Sequence, residues 1–422
     1  MKKGIVCNLT NNTFTEESKM KKLFIILTAL LLMVVFTAPA MAKFEIGGIV
    51  FTDFYYLNRD KENARDWGLG NGTSSYNVTA IQVPNISRLH VKWTNEDNVG
   101  MYIELGLGQE YGSVEWAWSD RVEVRHAYGW WDISPDLQIM AGKTTTPLSP
   151  LNPSQMLGTR SGSYNIIGAG YGDLYPSRIP QVRGTYKFSK SVKLALALVD
   201  PTAVADVVGD RGPWAWGVEY STKIPRVDIG VPIKLDWINL YPSFMWQRRT
   251  VDIIRQSEYA KKYGYPNDDE MTTYVASLGF KTGWGQLGFS AEGNWGKNWG
   301  NAGGFMGYSY PAIFSSAGYK DNKINDAETY SFWADLSYKL GPVTPHLIYG
   351  EMNTKNSYGQ LDFDTKSSMY GISCPIQLAK GFSIRPEVMF YDEGKVNVSG
   401  EFSEDYNAGK YMIAGVQFQI TF

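Results

Sequence analysis

The sequence predicts an all-β chain closed into a transmembrane antiparallel β-barrel of about 16 strands, on three observations. Apolar and polar residues alternate with a period of two over most of the chain, the segments that do so are even in number, and the links between them alternate long and short. Composition agrees: of 422 residues, 43 are Gly and 27 Tyr, and only 19% are charged, which suits neither a disordered chain nor a helical bundle. A formal net charge of −2 offers no basic domain, so no nucleic-acid partner is expected. With two cysteines, Cys7 and Cys374, there is no disulfide framework.

The first element is a leader at 1–42. Lys21-Lys22, the apolar run Leu23–Phe36 and Thr37-Ala-Pro-Ala-Met-Ala42 give a charged region, an apolar core and an A-x-A cleavage site. The signal is complete from Met20 (core 20–42), so the true start is open between Met1 and Met20. Cleavage after Ala42 leaves one domain, 43–422, for export.

Alternation then marks strands near 44–57, 79–94, 99–109, 121–132, 137–145, 180–188, 191–200, 214–222, 233–250, 272–282, 286–297, 328–340, 343–353, 367–378, 382–392 and 408–422. In 382–390, Phe382, Ile384, Pro386, Val388 and Phe390 hold one parity and Ser383, Arg385, Glu387 and Met389 the other. Long links are expected at 58–78, 110–120, 146–179, 201–213, 251–271, 298–327, 354–366 and 393–407. Short ones are expected near Asn95–Asn98, Ser134-Pro135, Ser189-Lys190, Pro225–Pro232, Gly283–Gly285, Gly341-Pro342 and Ala379–Gly381. Lipid satisfies no backbone hydrogen bond, so such a sheet must close, with apolar parity outward and polar parity toward water. Trp130, Trp131, Trp214, Tyr349, Phe390 and Tyr391 suit the interfacial girdles.

The last segment, Tyr411–Phe422, places Met412, Ala414, Val416, Phe418, Ile420 and Phe422 on one parity and ends in an aromatic residue. Here the sequence resembles the Gram-negative outer-membrane porins of the trimeric, general-diffusion type. Val124-Arg-His-Ala-Tyr-Gly-Trp130 is similar to the family's fourth strand and Ile139-Met-Ala-Gly-Lys143 to the close of its fifth. The resemblance implies an outer-membrane location, a homotrimer in outer-membrane lipid, passive diffusion of small hydrophilic solutes, and Phe422 as an assembly signal read by the barrel-assembly machinery. It also implies that the loop after strand five, 146–179, folds into the lumen and narrows it. That loop departs from the usual family motif, which leaves a general, unselective pore in question.

Charged residues on the inward parity are the candidates for ion preference. The bases include Arg88, Lys92, Arg125, Arg183 and Arg385, and the acids Glu104, Glu123, Glu292, Asp335 and Glu387. The bases outnumber the acids, so a weak anion preference is expected. By the resemblance, Arg88, Lys92, Arg125 and Arg183 form a basic wall facing loop residues Arg160 and Asp173, with Lys143 near the constriction. A plainer reading is that these charges pair with one another and keep the wall wet.

His90 and His346 read as inward and His126 as outward; they match no metal-site spacing, and no cofactor is expected. No nucleophile elbow supports an enzyme. Cys374 shares parity with Tyr370 and Ile372 and so faces lipid or another subunit. Three readings stay beside diffusion: a channel specific for anions or sugars, with Tyr164 and Tyr171 as a stacking surface; a secreted carbohydrate-binding β-protein; and an outer-membrane enzyme.

Overall fold

The computed structural model describes residues 43–66, 75–84, 86–111, 118–154, 168–176, 178–201, 218–253, 269–302, 309–320, 323–358, 361–400 and 405–422. The expected leader, Arg160, Tyr164 and Trp214 lie outside the described residues.

The strands are β1 (Lys43–Arg59), β2 (Tyr76–Gln82 and Arg88–Thr94), β3 (Val99–Tyr111), β4 (Trp118–Asp132), β5 (Leu137–Thr145), β6 (Arg178–Lys187), β7 (Lys193–Val199) and β8 (Val218–Ser221, Arg226–Gly230 and Ile233–Lys234). The second half holds β9 (Ile238–Ile253), β10 (Asp269–Trp284), β11 (Leu287–Lys297), β12 (Glu328–Tyr338), β13 (His346–Tyr358), β14 (Leu361–Ser373 and Ile376–Ala379), β15 (Phe382–Gly400) and β16 (Tyr406–Thr421). Each pairs antiparallel with its neighbour, and β16 closes on β1 from Ile49 opposite Thr421 to Arg59 opposite Tyr411. The result is a closed barrel of 16 strands.

Three strands are written in pieces because proline interrupts them. Pro84, Pro225, Pro232 and Pro375 lack the amide proton a ladder needs. Neighbouring groups carry the pairing across: Ser87 Oγ accepts from Phe51 N at 3.0 Å, Lys193 N donates to Pro232 O at 3.1 Å, and Thr344 N donates to Pro375 O at 3.0 Å.

The outline matches the alternation strand for strand, with three differences. Pro225–Pro232 is not a turn; it is the body of β8, and the turn falls at 235–237. The links expected at 354–366 and 393–407 are mostly strand, because β13 and β14 stay paired up to Tyr358 opposite Leu361, and β15 and β16 stay paired out to Val396 opposite Tyr406. Polar residues on both faces of these extensions hide the period of two.

The barrel is inside-out. Leu89, Val122, Val124, Leu278, Phe332, Ile372 and Ile420 form part of an exposed apolar band, which is the surface that hydrocarbon solvates. Trp131, Tyr349 and Phe390 stand on that outer face as expected, but Trp130 and Tyr391 do not. Tyr391 is 1% exposed and stacks on Tyr411 at 4.5 Å on the inner side.

The cores lie within the barrel. One joins Tyr55 and Leu57 of β1, Ile348, Met369, Met389 and Ile413 of the facing strands, and Tyr171. Another joins Leu148 and Leu174 to Met245, Val275, Met352 and to Trp299 and Ala302 of the short helix Trp299–Ala302, and a small third one joins Ile179, Ala197 and Val199. Tyr171, Leu148 and Leu174 belong to the link after β5.

Candidate functional site

The link after β5 reaches strands remote in order. Ser149 N donates to Ser243 Oγ of β9 at 3.1 Å, and Ser149 Oγ donates to Glu292 of β11. Ser154 N donates to Asp335 Oδ2 of β12 at 2.8 Å, and Arg385 of β15 donates to Ser154 O at 2.7 Å. Further on, Ser367 Oγ of β14 donates to Gly170 O at 2.7 Å. Tyr171 OH donates to Glu393 of β15 and accepts from Tyr411 OH of β16 at 3.2 Å. Each hydrogen bond adds about 0.5–1.5 kcal/mol, while burying one Leu contributes roughly 1.5–3 kcal/mol. Leu148 and Leu174 therefore each contribute at least as much as a typical one of these polar contacts.

Close approach depends on two glycines. A Cβ on Gly350 of β13 would collide with Tyr171 O, and one on Gly172, whose φ is +120°, would collide with Phe332 O. Their absence lets loop backbone lie flat on the wall.

Of the loop residues singled out from sequence, Asp173 is buried, with Tyr175 N donating to its Oδ1 at 3.2 Å. Its charged neighbour is Glu292; burial first, then that carboxylate, push the Asp173 carboxyl well above the usual aspartate range. Tyr171, expected as a stacking surface for sugars, is instead 1% exposed and packed edge-on against Tyr391 at 5.0 Å. It is a structural plug with no free face.

The remaining candidates converge on the inner face of β2–β6. Glu104 is the centre. Arg125 Nε donates to its Oε1 at 2.8 Å, Arg88 Nε lies 3.4 Å from Oε2, and Tyr102 OH donates to Oε2 at 2.8 Å. A β-bulge places two residues in succession on this face: Glu104 is opposite His126 while Leu105 is opposite Val124, so Arg125 is the extra residue. His126, expected outward, therefore points inward. Its Nδ1 lies 2.8 Å from Thr144 Oγ1 and its Nε2 accepts from Arg178 Nε at 2.9 Å, which assigns the ring proton to Nδ1.

Arg183 of β6 donates from Nη1 to Thr145 O at 3.3 Å, and its buried Nε has no hydrogen-bond partner among the described residues. Among those residues neither Arg178 nor Arg183 has a carboxylate within 4.0 Å. Glu123 lies between the outward Val122 and Val124 and so on the inner face; Lys92 is on the inner face opposite Tyr102. Lys143 is a correction: it pairs with Ala127 and shares the parity of the exposed Ile139, while Thr144 takes the inner position.

Sequence reasoning missed Arg178 and a row of half-buried rings. His90 stacks on Tyr102 at 5.6 Å, Tyr102 meets Tyr128 at 5.6 Å, and Tyr128 meets Trp130 at 5.9 Å. The signal was present in the parity shared by Tyr102 with Glu104, but the bulge broke it on β4. Among the described residues no group of three or more His, Cys, Asp or Glu is placed to hold a metal ion.

These features define a 16-stranded barrel with the porin fold, whose inner wall carries a loop on one side and an arginine cluster on the other. Solved structures agree. The chain is similar to the outer-membrane channel DcaP of Acinetobacter baumannii, at 16% identity over 91% of this chain and 99% of that one, with a TM-score of 0.62. It is similar to an anion-selective porin from Comamonas acidovorans, at 11% identity over 90% and 100% of the two chains, TM-score 0.54. It is also similar to OmpT, an outer membrane protein of Vibrio cholerae, at 10% identity over 91% and 99%, TM-score 0.53. No protein-family model and no curated protein sequence matches the chain.

Proposed function

We propose that this protein is a non-enzymatic porin of the bacterial outer membrane that passes small hydrophilic solutes and ions by passive diffusion, with a preference for anions. The observation that carries the reading is the inner wall of β2–β6, where Arg88 and Arg125 flank Glu104 while Arg178, bonded to His126, and Arg183, bonded to Thr145 O, have no carboxylate within 4.0 Å among the described residues. Guanidinium groups on a water-filled wall raise the local concentration of anions and exclude cations. Residues 146–179 form the constriction loop in this reading, supported by the hydrogen bonds of Ser149, Ser154 and Tyr171 to remote strands.

Export follows cleavage after Ala42, and Phe422 serves the barrel-assembly machinery as a terminal signal. Support for a homotrimer comes from the Vibrio cholerae OmpT, one structure of which is described as a trimer form. Single-channel recording in a planar bilayer under a KCl gradient tests the whole reading. Stepwise conductance with an anion-selective reversal potential is expected. Cation selectivity would overturn the role of the arginines, and folded, inserted protein that passes no current would overturn diffusion.

A further inference from the structure

Four lysines stand on the inner wall just beyond the link after β5, on its short-turn side. The link crosses β8 and β10 at two glycines: a Cβ on Gly230 would meet Pro147 and one on Gly279 would meet Leu151, each at 2.9 Å. The inner positions that follow toward the short turns are basic. Lys281 is the next one after Gly279 on β10, and Lys234 comes two after Gly230 on β8. Lys187 of β6 and Lys193 of β7 lie one row below Thr185 and Ala195, and Ala195 is opposite Gly230. Their parity is inward, because Tyr186, Leu196 and Leu278 on the other parity are exposed on the apolar outer face. Lys234 is on the same face, since it shares Asn239 as cross-strand partner with Lys281.

The four are close together and open to water. Lys187 is directly opposite Lys193, which sets their Cβ atoms about 4.5–5.5 Å apart. Val192 pairs with Ile233 and Lys234 N donates to Ser191 O at 2.7 Å, so Lys234 is the diagonal neighbour of Lys193, roughly 7–8 Å away. Lys281 lies one strand beyond Asn239, roughly 10 Å from Lys234. Lys187, Lys234 and Lys281 are exposed and Lys193 is half-buried. Lys187 Nζ donates to Pro135 O at 2.7 Å, and none of the four has a carboxylate within 4.0 Å among the described residues. Like charges directly opposite one another destabilise a sheet, and no carboxylate of the wall relieves this pair.

Building on the porin reading, we propose that Lys187, Lys193, Lys234 and Lys281 form a binding site for phosphate dianions, inorganic phosphate or a phosphate monoester, on the short-turn side of the loop. Ammonium groups are compact point charges on flexible four-carbon stems, so several can turn toward one tetrahedral oxyanion. A chloride or a monocarboxylate neutralises one lysine and leaves the others repelling. A phosphate group carries close to two charges above its second pKa, near 6 for an ester, and has three acceptor oxygens. It can bridge Lys187 and Lys193 and still offer an oxygen to Lys234. The flat carboxylate suits the guanidinium fork better than it suits a lysine group.

The test is calorimetric titration of the full-length protein, folded in detergent at low ionic strength, with inorganic phosphate and with acetate at a pH where phosphate is a dianion. One additional charge pair near 4 Å in water amounts to a factor of about five, so phosphate is expected to bind about fivefold or more tightly than acetate. Lys187→Gln combined with Lys193→Gln should erase that advantage. Heat-modifiable migration in gels verifies that the double variant is folded, and Lys234→Gln with Lys281→Gln repeats the test should the first pair misfold. Equal binding of phosphate and acetate, or an unchanged phosphate advantage in a folded double variant, would overturn the site. Because binding is read without current, the outcomes separate: KCl conductance with no phosphate advantage sinks the site alone, and phosphate binding without conductance sinks the pore alone.

Discussion

Glu104 holds one negative charge against Arg88 and Arg125, so its removal should release positive potential into the lumen. At separations near 4 Å in water one charge contributes about 1 kcal/mol, roughly a factor of five. Glu104→Gln is expected to raise the anion-to-cation permeability ratio by about two- to fivefold, and Arg183→Gln to lower it by a similar factor; reversal potentials in a KCl gradient read both. Asp173 behaves differently. Its folded pKa is raised, so above the ordinary aspartate pKa the unfolded chain releases a proton that the folded loop retains. Stability attached to this loop therefore falls as pH climbs from the aspartate range toward the raised value. Asp173→Asn should flatten that slope and stabilise the protein at neutral pH, measured as the pH dependence of the melting temperature. Inward charge was readable from parity at Arg88, Lys92, Glu104 and Glu123. It was not readable at His126 and Trp130, because a bulge at Arg125 shifts every later residue of β4 by one position and leaves no compositional mark.

Among the elements, the link after β5 depends on an absence of side chains. Gly350→Val would drive a branched side chain into Tyr171 O, at the cost of about 1–3 kcal/mol typical of overpacking. The expected outcome is a displaced loop in an intact barrel: larger single-channel conductance with unchanged heat-modifiable migration. An unchanged conductance would mean that the loop does not limit flow. Its position was only partly legible in the sequence. The length of 146–179 and its place after the fifth strand were visible, but Leu148, Leu174 and Tyr171 read as ordinary loop residues. The wall beneath them was equally quiet, since Met245, Val275 and Ile348 are apolar residues on the inward parity, where a wetted wall would place polar ones. Proline misled in the opposite direction, since Pro225 and Pro232 look like the ends of a turn while the strand continues between them.

For the molecule as a whole, the lipid-facing band carries the energetic weight. Phe332 stands halfway along β12 on the outer face, 41% exposed. Phe332→Arg should cost about 2–4 kcal/mol if that point lies at the bilayer midplane, read by urea titration of the protein in lipid vesicles. A cost near zero would place the band elsewhere. The count of 16 strands and the alternating links were legible because hydrocarbon imposes the same demand on every strand. The lumen imposes no such uniform demand, so its chemistry had to be seen in three dimensions.

The seam between β1 and β16 sets the timing of assembly. Gly48 and Phe422 exchange backbone hydrogen bonds at 3.2 Å although more than 370 residues separate them. No local hairpin can substitute for that pairing, so β1 must wait with an unsatisfied edge while fourteen intervening strands are laid down. The slowest contact in the molecule is thus also the one that ends its vulnerability to aggregation.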